Sequence, residues 1–304
     1  MKKMLTLVAA ALLAALPLAA AGSVPEPAAR QTQDYRLSGF RGLNVSWIYQ
    51  VELTRGANYS VRVEAPDFVM PYLEVKVQDG KLCLGTRDLP RDVRIKMESG
   101  RNAVKAYVTM PQLTDLEMSG ATRLTASGQF DAHREFEMKL SGAAKVLKLQ
   151  VKGTEAEISC SGAAKLELTG DFDKMDLEMS GATGANLSGT VKKADIELGG
   201  AAKLAQDGQI GRLELEASGA ANYKLTGSLD ELELEASGAA KINTSDVPAD
   251  RARIRLAGAA NAIIHVRQEL SVSLSGASTC RYRSGTGLRI TEQNVSRGST
   301  LAQF

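Results

Sequence analysis

The chain is 304 residues long and 44% hydrophobic but only 5% aromatic, so any core it builds is aliphatic. Its formal net charge is +2, and once Lys2 and Lys3 are assigned to the leader described next, 35 basic and 35 acidic residues remain. That balance removes the electrostatic case for a nucleic-acid partner or an anionic membrane surface.

Met1-Lys2-Lys3 is a short cationic start, Met4 to Ala20 is apolar, and Ala19-Ala20-Ala21 fits the small-residue rule for cleavage before Gly22. Residues 1–21 are expected to be a signal peptide, and no Cys follows the site to direct lipidation. Residues 22–33, rich in Pro and Ala, are expected to be a tether. From 34 to 111 short runs alternate apolar and polar residues, as in Leu73-Glu74-Val75-Lys76-Val77 and Val104-Lys105-Ala106-Tyr107-Val108. Turn residues separate them (Arg55-Gly56-Ala57-Asn58, Asp79-Gly80), so this third is expected to be a small β module rich in hairpins.

Residues 112–283 carry a repeat whose marker glycines are Gly120, Gly142, Gly162, Gly181, Gly200, Gly219, Gly238, Gly258 and Gly276, spaced by 18 to 22 residues and most often by 19. Residues four and two before each marker are apolar, as in Leu177/Met179 and Ile196/Leu198, and those between are mostly charged. A spacing of two with corner glycines excludes a helix and gives half-buried strands. A second glycine often follows eight residues later (Gly128, Gly170, Gly189, Gly208, Gly227), so one unit is expected to be two short strands and two turns. Units of this period stack as a solenoid, here a narrow parallel β-helix of nine coils. The segment 284–304 is expected to cap it or trail from it.

The stretch Phe40-Arg41-Gly42-Leu43, then Val108-Thr109-Met110-Pro111-Gln112-Leu113 leading into Leu116-Glu117-Met118-Ser119-Gly120-Ala121 and its reiterations, resembles the putative auto-transporter adhesin, head GIN domain family over about Tyr35 to Arg283. The resemblance implies an all-β, single-stranded right-handed parallel β-helix in exported proteins of Gram-negative bacteria. It brings no catalytic motif.

No common catalytic signature is present in the sequence: there is no G-x-S-x-G elbow, phosphate-binding loop, H-E-x-x-H or C-x-x-C. His133 and His265 lie in different coils, and Cys83, Cys160 and Cys280 are odd in number and far apart, which favours free thiols. No catalytic residue and no cofactor are therefore expected. Stacking does bring acidic residues into line. Five before the markers stand Asp115, Glu137, Glu157, Asp176, Asp195, Glu214 and Glu233, and three before stand Glu117, Glu178, Glu197, Glu216 and Glu235. In register these make two outward carboxylate columns. They would take Ca²⁺ or a cationic partner, or else form a solvated face neutralised by nearby Lys and Arg, the plainer account.

Three residues after the markers run Arg123, Lys145, Lys165, Gly184, Lys203, Asn222, Lys241, Asn261 and Thr279. Charge balance across the corner is the plainer account of this column, and a groove for acidic polysaccharide the sharper one. Aromatic residues able to stack on sugars are scarce in the coils, Tyr223 and Tyr282 being the main ones, while Trp47, Tyr49, Tyr59, Phe68, Tyr72 and Tyr107 belong to the N-terminal module.

The expected function is an exported, non-enzymatic envelope protein, periplasmic or at the surface, acting as an adhesin or binding scaffold for a glycan or an envelope protein. The alternatives are a polysaccharide-active lyase or hydrolase, suggested only because β-helices host such enzymes, and a self-assembling structural protein that forms homo-oligomers.

Overall fold

The computed structural model describes residues 29–98 and 102–304, so the expected signal peptide and most of the expected tether lie outside the described residues. The described chain begins with β1 (Arg30–Tyr35), β2 (Gly42–Val45), β3 (Tyr49–Arg55) and β4 (Ser60–Pro66). A single 3₁₀ turn leads to β5 (Leu73–Gln78) and β6 (Lys81–Thr86), then α1 (Arg91–Glu98) and β7 (Val104–Met110). The first coils are built from β8 (Asp115–Met118), β9 (Arg123–Ser127), β10 (Gln129–Asp131), β11 (Glu135–Leu140), β12 (Lys145–Lys152) and β13 (Glu155–Cys160). Long strands then dominate: β14 (Lys165–Met179), β15 (Gly184–Leu198), β16 (Lys203–Ala217), β17 (Asn222–Ala236), β18 (Lys241–Leu256) and β19 (Asn261–Leu274). The last are β20 (Thr279–Ser284), β21 (Arg289–Val295) and β22 (Thr300–Gln303).

The alternation read from the sequence decides the packing. Along β14 the buried residues alternate with outward ones, at Leu166, Leu168 and Phe172 and then, after a shift of one at Asp173–Lys174, at Met175, Leu177 and Met179. Each strand pairs in parallel with its equivalent in the next coil, so Leu177 lies beside Ile196, Ile196 beside Leu215 and Leu215 beside Leu234. A coil has no second layer of its own, and its apolar side chains are covered only by the coils above and below.

The marker glycines fix the first corner. All nine have φ between +66° and +77°, where a Cβ is disfavoured, and the carbonyls of the first eight each accept the N–H of the residue after the next marker, as Gly181 does from Ala201 at 2.8 Å, while the Gly276 carbonyl accepts from the Ser299 hydroxyl at 3.2 Å. A Cβ at any of them would stand 2.5–3.0 Å from the carbonyl oxygen of the coil before. The second corner is gentler than expected. From β14 to β17 the chain bends at Gly170, Gly189, Gly208 and Gly227 without leaving the strand, so these coils hold one long bent strand rather than two short ones with a turn.

The expected N-terminal module belongs to the same stack. β2 pairs in parallel with β8 and β3 with β9, so together they form a coil before the first marker. Trp47 takes the marker position there, with φ 72° and its carbonyl accepting the Ala121 N–H at 2.7 Å. On the outer side β6 pairs in parallel with β2 and β7 with β3. Antiparallel strands close that end: β5 on β6 through the Asp79-Gly80 turn, β4 on β7, and β1 on β4. The turn after Arg55 therefore does not make a hairpin of β3 and β4, which lie on either side of β7. β1 starts inside the segment expected as tether.

The segment 284–304 continues the stack. β21 pairs in parallel with β19 and β22 with β20, and Gly298, at φ 97°, stacks over Gly276. The solenoid thus has about ten turns, in keeping with the about nine expected.

Two charged faces and the family they belong to

The strand before each marker and the strand after it lie on opposite sides of the corner, so their outward residues form separate faces. On the first, the expected columns do stack: Asp115 lies beside Glu137, Glu137 beside Glu157, and on through Asp176, Asp195, Glu214 and Glu233. In the second column Glu178, Glu197, Glu216 and Glu235 are consecutive, while Lys139 and Ser159 separate them from Glu117.

A third column, seven residues before the markers, escaped the sequence reading and supplies cations to the first. Lys174 reaches Asp176 at 2.6 Å and Lys193 reaches Asp195 at 3.2 Å and Glu214 at 3.6 Å. Arg212 holds Glu214 at 2.9 Å, Glu233 at 3.2 Å and Glu231 at 3.5 Å. The next coil adds Arg251 on Glu231, Arg253 on Glu233, and Arg255 on Glu233 and Glu235. At Glu214 partial burial pushes the carboxyl up, but the Arg212 and Lys193 contacts outweigh it and hold it below its usual range. Lys81 with Asp115 and Lys139 with Glu137 complete the set. Exposed pairs contribute little singly, but together they offset much of the repulsion within the first column of stacked carboxylates. Glu178, Glu197 and Glu216 line a shallow groove of about 440 Å³ beside Ser180, Ser218 and Ser237. Among the described residues, no group of three or more His, Cys, Asp or Glu is placed to hold a metal ion.

The second face is different. Three residues after the markers, Arg123, Lys145, Lys165, Gly184, Lys203, Asn222, Lys241, Asn261 and Thr279 lie side by side. Two residues further on run Glu167, Asn186, Ala205, Lys224 and Asn243. Lys165, Lys203, Lys224 and Lys241 are exposed, and none makes an ion pair among the described residues. Charge balance across the corner, the plainer account of this column, therefore involves no direct ion pairs of these lysines: most of the first acidic column is paired from its own side of the corner, while Glu178, Glu197 and Glu216 make no ion pair among the described residues. The lysines line an open groove of about 1130 Å³, with Asn186, Asn222, Asn243 and Asn261 between them. A second groove of about 580 Å³ shares Glu167, Asn186, Ala205 and Lys224 with it and adds Thr169, Ser188, Asp207 and Thr226. Thr169 and Ser188 share a 2.8 Å hydrogen bond, and the Thr226 hydroxyl donates to Asp207 at 2.9 Å.

The coil aromatics do not join this face. Tyr223 points into the core, where its hydroxyl donates to Gln206 Oε1 at 2.9 Å, and Tyr282 is also buried. Tyr49 is fully buried, and Trp47, Tyr59, Phe68 and Tyr72 pack half-buried against the core. All three cysteines are free, and burial pushes the Cys160 and Cys280 thiols up to about 12. His133 sits in a turn at φ 60° against Gln112, with its Nε2 at 2.7 Å, while His265 is partly screened beside Arg283 and Arg267.

Among solved structures, a putative adhesin from Parabacteroides distasonis superposes with a TM-score of 0.53 at 14% identity, over 91% of this chain and 98% of that one. A putative adhesin from Parabacteroides merdae gives 0.46 at 16% identity, over 90% and 96%. A protein from P. distasonis described as a putative lipid binding protein gives 0.47 at 14%, over 90% and 96%. The first of these supports the fold and nothing more. A search of curated proteins finds no match. The family model described as "Putative auto-transporter adhesin, head GIN domain" matches residues 39–208 and 190–285, which takes in the coil marked by Trp47 and all nine glycine-marked coils. With the repeat, its stacking and that match in agreement, the chain belongs to the putative auto-transporter adhesin, head GIN domain family.

Proposed function

We propose that this chain is an exported, non-enzymatic scaffold of the cell envelope that binds a macromolecular partner in an adhesin-like role, using an outward face of the solenoid. One observation carries this: Lys165, Lys203, Lys224 and Lys241 of the second face are exposed and make no ion pair among the described residues, whereas Asp115, Glu137, Asp176, Asp195, Glu214 and Glu233 of the first acidic column are each paired with Lys or Arg. A row of unpaired like charges is a stability cost that a binding surface explains and a purely structural role does not. The family and the export-like leader support an envelope or surface location. A lyase or hydrolase on a β-helix would need coil-to-coil loops that wall a cleft. Here the corners are tight turns and the face they border is open.

The test is retention of the mature protein on isolated envelopes and on glycan arrays. Saturable binding to one of them is expected, and a clean negative on both overturns the proposal. Turnover of pectin-like or alginate-like polysaccharide by the purified protein would overturn the non-enzymatic part.

A further inference from the structure

We propose that the lysine face binds an extended anionic polysaccharide laid along the solenoid axis, an inference that rests on the scaffold reading above and names its ligand class. Three features of the face point to this occupant. The first is unneutralised charge: Lys165, Lys203, Lys224 and Lys241 are exposed and unpaired, with Glu167 and Asp207 the carboxylates beside them. The second is spacing. Lys165, Lys203 and Lys241 occupy every second coil of one column, with Gly184 and Asn222 between, so their stems repeat at about 9.6 Å for strands about 4.8 Å apart. A glycan with one carboxylate or sulfate per disaccharide repeats its charge at a comparable distance. The third is the filling between the lysines. Asn186 and Asn261 offer amides that both donate and accept, suited to sugar hydroxyls, and neither side-chain amide has a hydrogen-bond partner among the described residues.

Other occupants fit less well. A protein ligand is normally anchored by aromatic or aliphatic side chains in a desolvated pocket, and this face is open, polar and free of exposed aromatics, its one coil tyrosine being buried. The same lack of stacking platforms disfavours single-stranded nucleic acid.

The experiment measures binding of the mature chain to immobilised hyaluronan, which carries one carboxylate per disaccharide, and polygalacturonate, which carries one per sugar, with dextran as the neutral probe, at two salt concentrations. Two triple variants remove equal charge: Lys203→Gln/Lys224→Gln/Lys241→Gln on this face, and Lys139→Gln/Lys152→Gln/Lys192→Gln elsewhere. Circular dichroism and melting temperature establish that both fold. The wild type is expected to bind a polyanion and not dextran, to weaken as salt rises, and to lose about tenfold or more affinity in the first triple while the second stays near wild type. Equal losses in both triples would overturn the placement. Envelope retention without any polyanion binding would overturn the ligand class and leave the scaffold reading standing, whereas no retention anywhere would sink both. Self-association that the first triple abolishes in the absence of glycan would make a second copy the occupant and also overturn the proposal.

Discussion

Replacing Gly219 by Ala tests the stacking of the marker corners. Gly219 has φ +69°, and a Cβ there would lie 2.7 Å from the Gly200 carbonyl oxygen and 3.2 Å from the Gly200 nitrogen. The left-handed conformation costs a Cβ-bearing residue about 1–2 kcal/mol, and forcing a methyl against a backbone that cannot swing aside adds about 1–3 kcal/mol. Relief would require the two coils to part at the 2.7 Å bond from the Ala220 N–H to the Gly200 oxygen, which offers no cheap escape. The expected loss is therefore about 2–5 kcal/mol, or on the order of 10 °C in melting temperature for a chain this long. Gly184→Ala is the matched control. Its Cβ would meet nothing within 4 Å and its φ is not left-handed, so loss of unfolded-state freedom should stabilise by about 0.4–1 kcal/mol. Melting both variants by circular dichroism decides the point: Gly219→Ala as stable as wild type, or Gly184→Ala as damaging as Gly219→Ala, would refute the corner geometry.

Further outcomes follow from the core and the faces. Thr183 is buried with its hydroxyl unpartnered at a position where neighbouring coils have Ala164 and Ala202, so Thr183→Val should raise stability by about 1 kcal/mol in denaturant titration, and a loss would show a partner for that hydroxyl. In the native protein a thiol reagent near pH 8 should label Cys83 first and reach Cys160 and Cys280 only on unfolding, because burial raises both core thiols to about 12; equal labelling would contradict their placement. The His133 amide and Lys152 hold the Asp131 carboxyl below its usual range. A depressed carboxyl stabilises above its unfolded value and loses that contribution as pH falls through its folded one, so an NMR titration should place its midpoint below that of an unfolded-chain Asp. Gly184→Lys fills one of the two gaps between Lys165 and Lys241 without a clash and should strengthen polyanion binding, and unchanged affinity would count against the column as the contact line.

Much of this architecture was legible because each coil repeats one rule. Marker glycines and period-two apolar residues gave the strands, the inward columns and the stacking of Asp176, Asp195 and Glu214. The same rule hid the coil before it. Leu43-Asn44-Val45-Ser46-Trp47 matches Leu116-Glu117-Met118-Ser119-Gly120 position for position, but with Trp at the marker, held at φ 72° by the coil above, a glycine search passes over it. Whether 284–304 caps the stack or trails from it stayed open for a related reason: β21 is exposed along its whole length, so it lacks the alternation that marks the other coils. Charge placement was read only in part. The acidic columns were visible, yet the cations that pair with the first of them, Lys174, Lys193 and Arg212, recur at a position the repeat's apolar rule does not mark, and the lysines across the corner were assigned their task instead. Tyr223 was misplaced because one aromatic in an aliphatic column looks like a surface residue until its hydroxyl finds Gln206 inside the core.

The central claim is that binding uses the lysine face and leaves the acidic face free. Lysine acetylation footprinting of the mature protein, with and without the envelope fraction or polyanion that retains it, tests this most directly. Protection is expected at Lys165, Lys203, Lys224 and Lys241 together, with Lys139, Lys174 and Lys193 modified at the same rate in both states. Protection of the second set, with the first unchanged, would contradict the account.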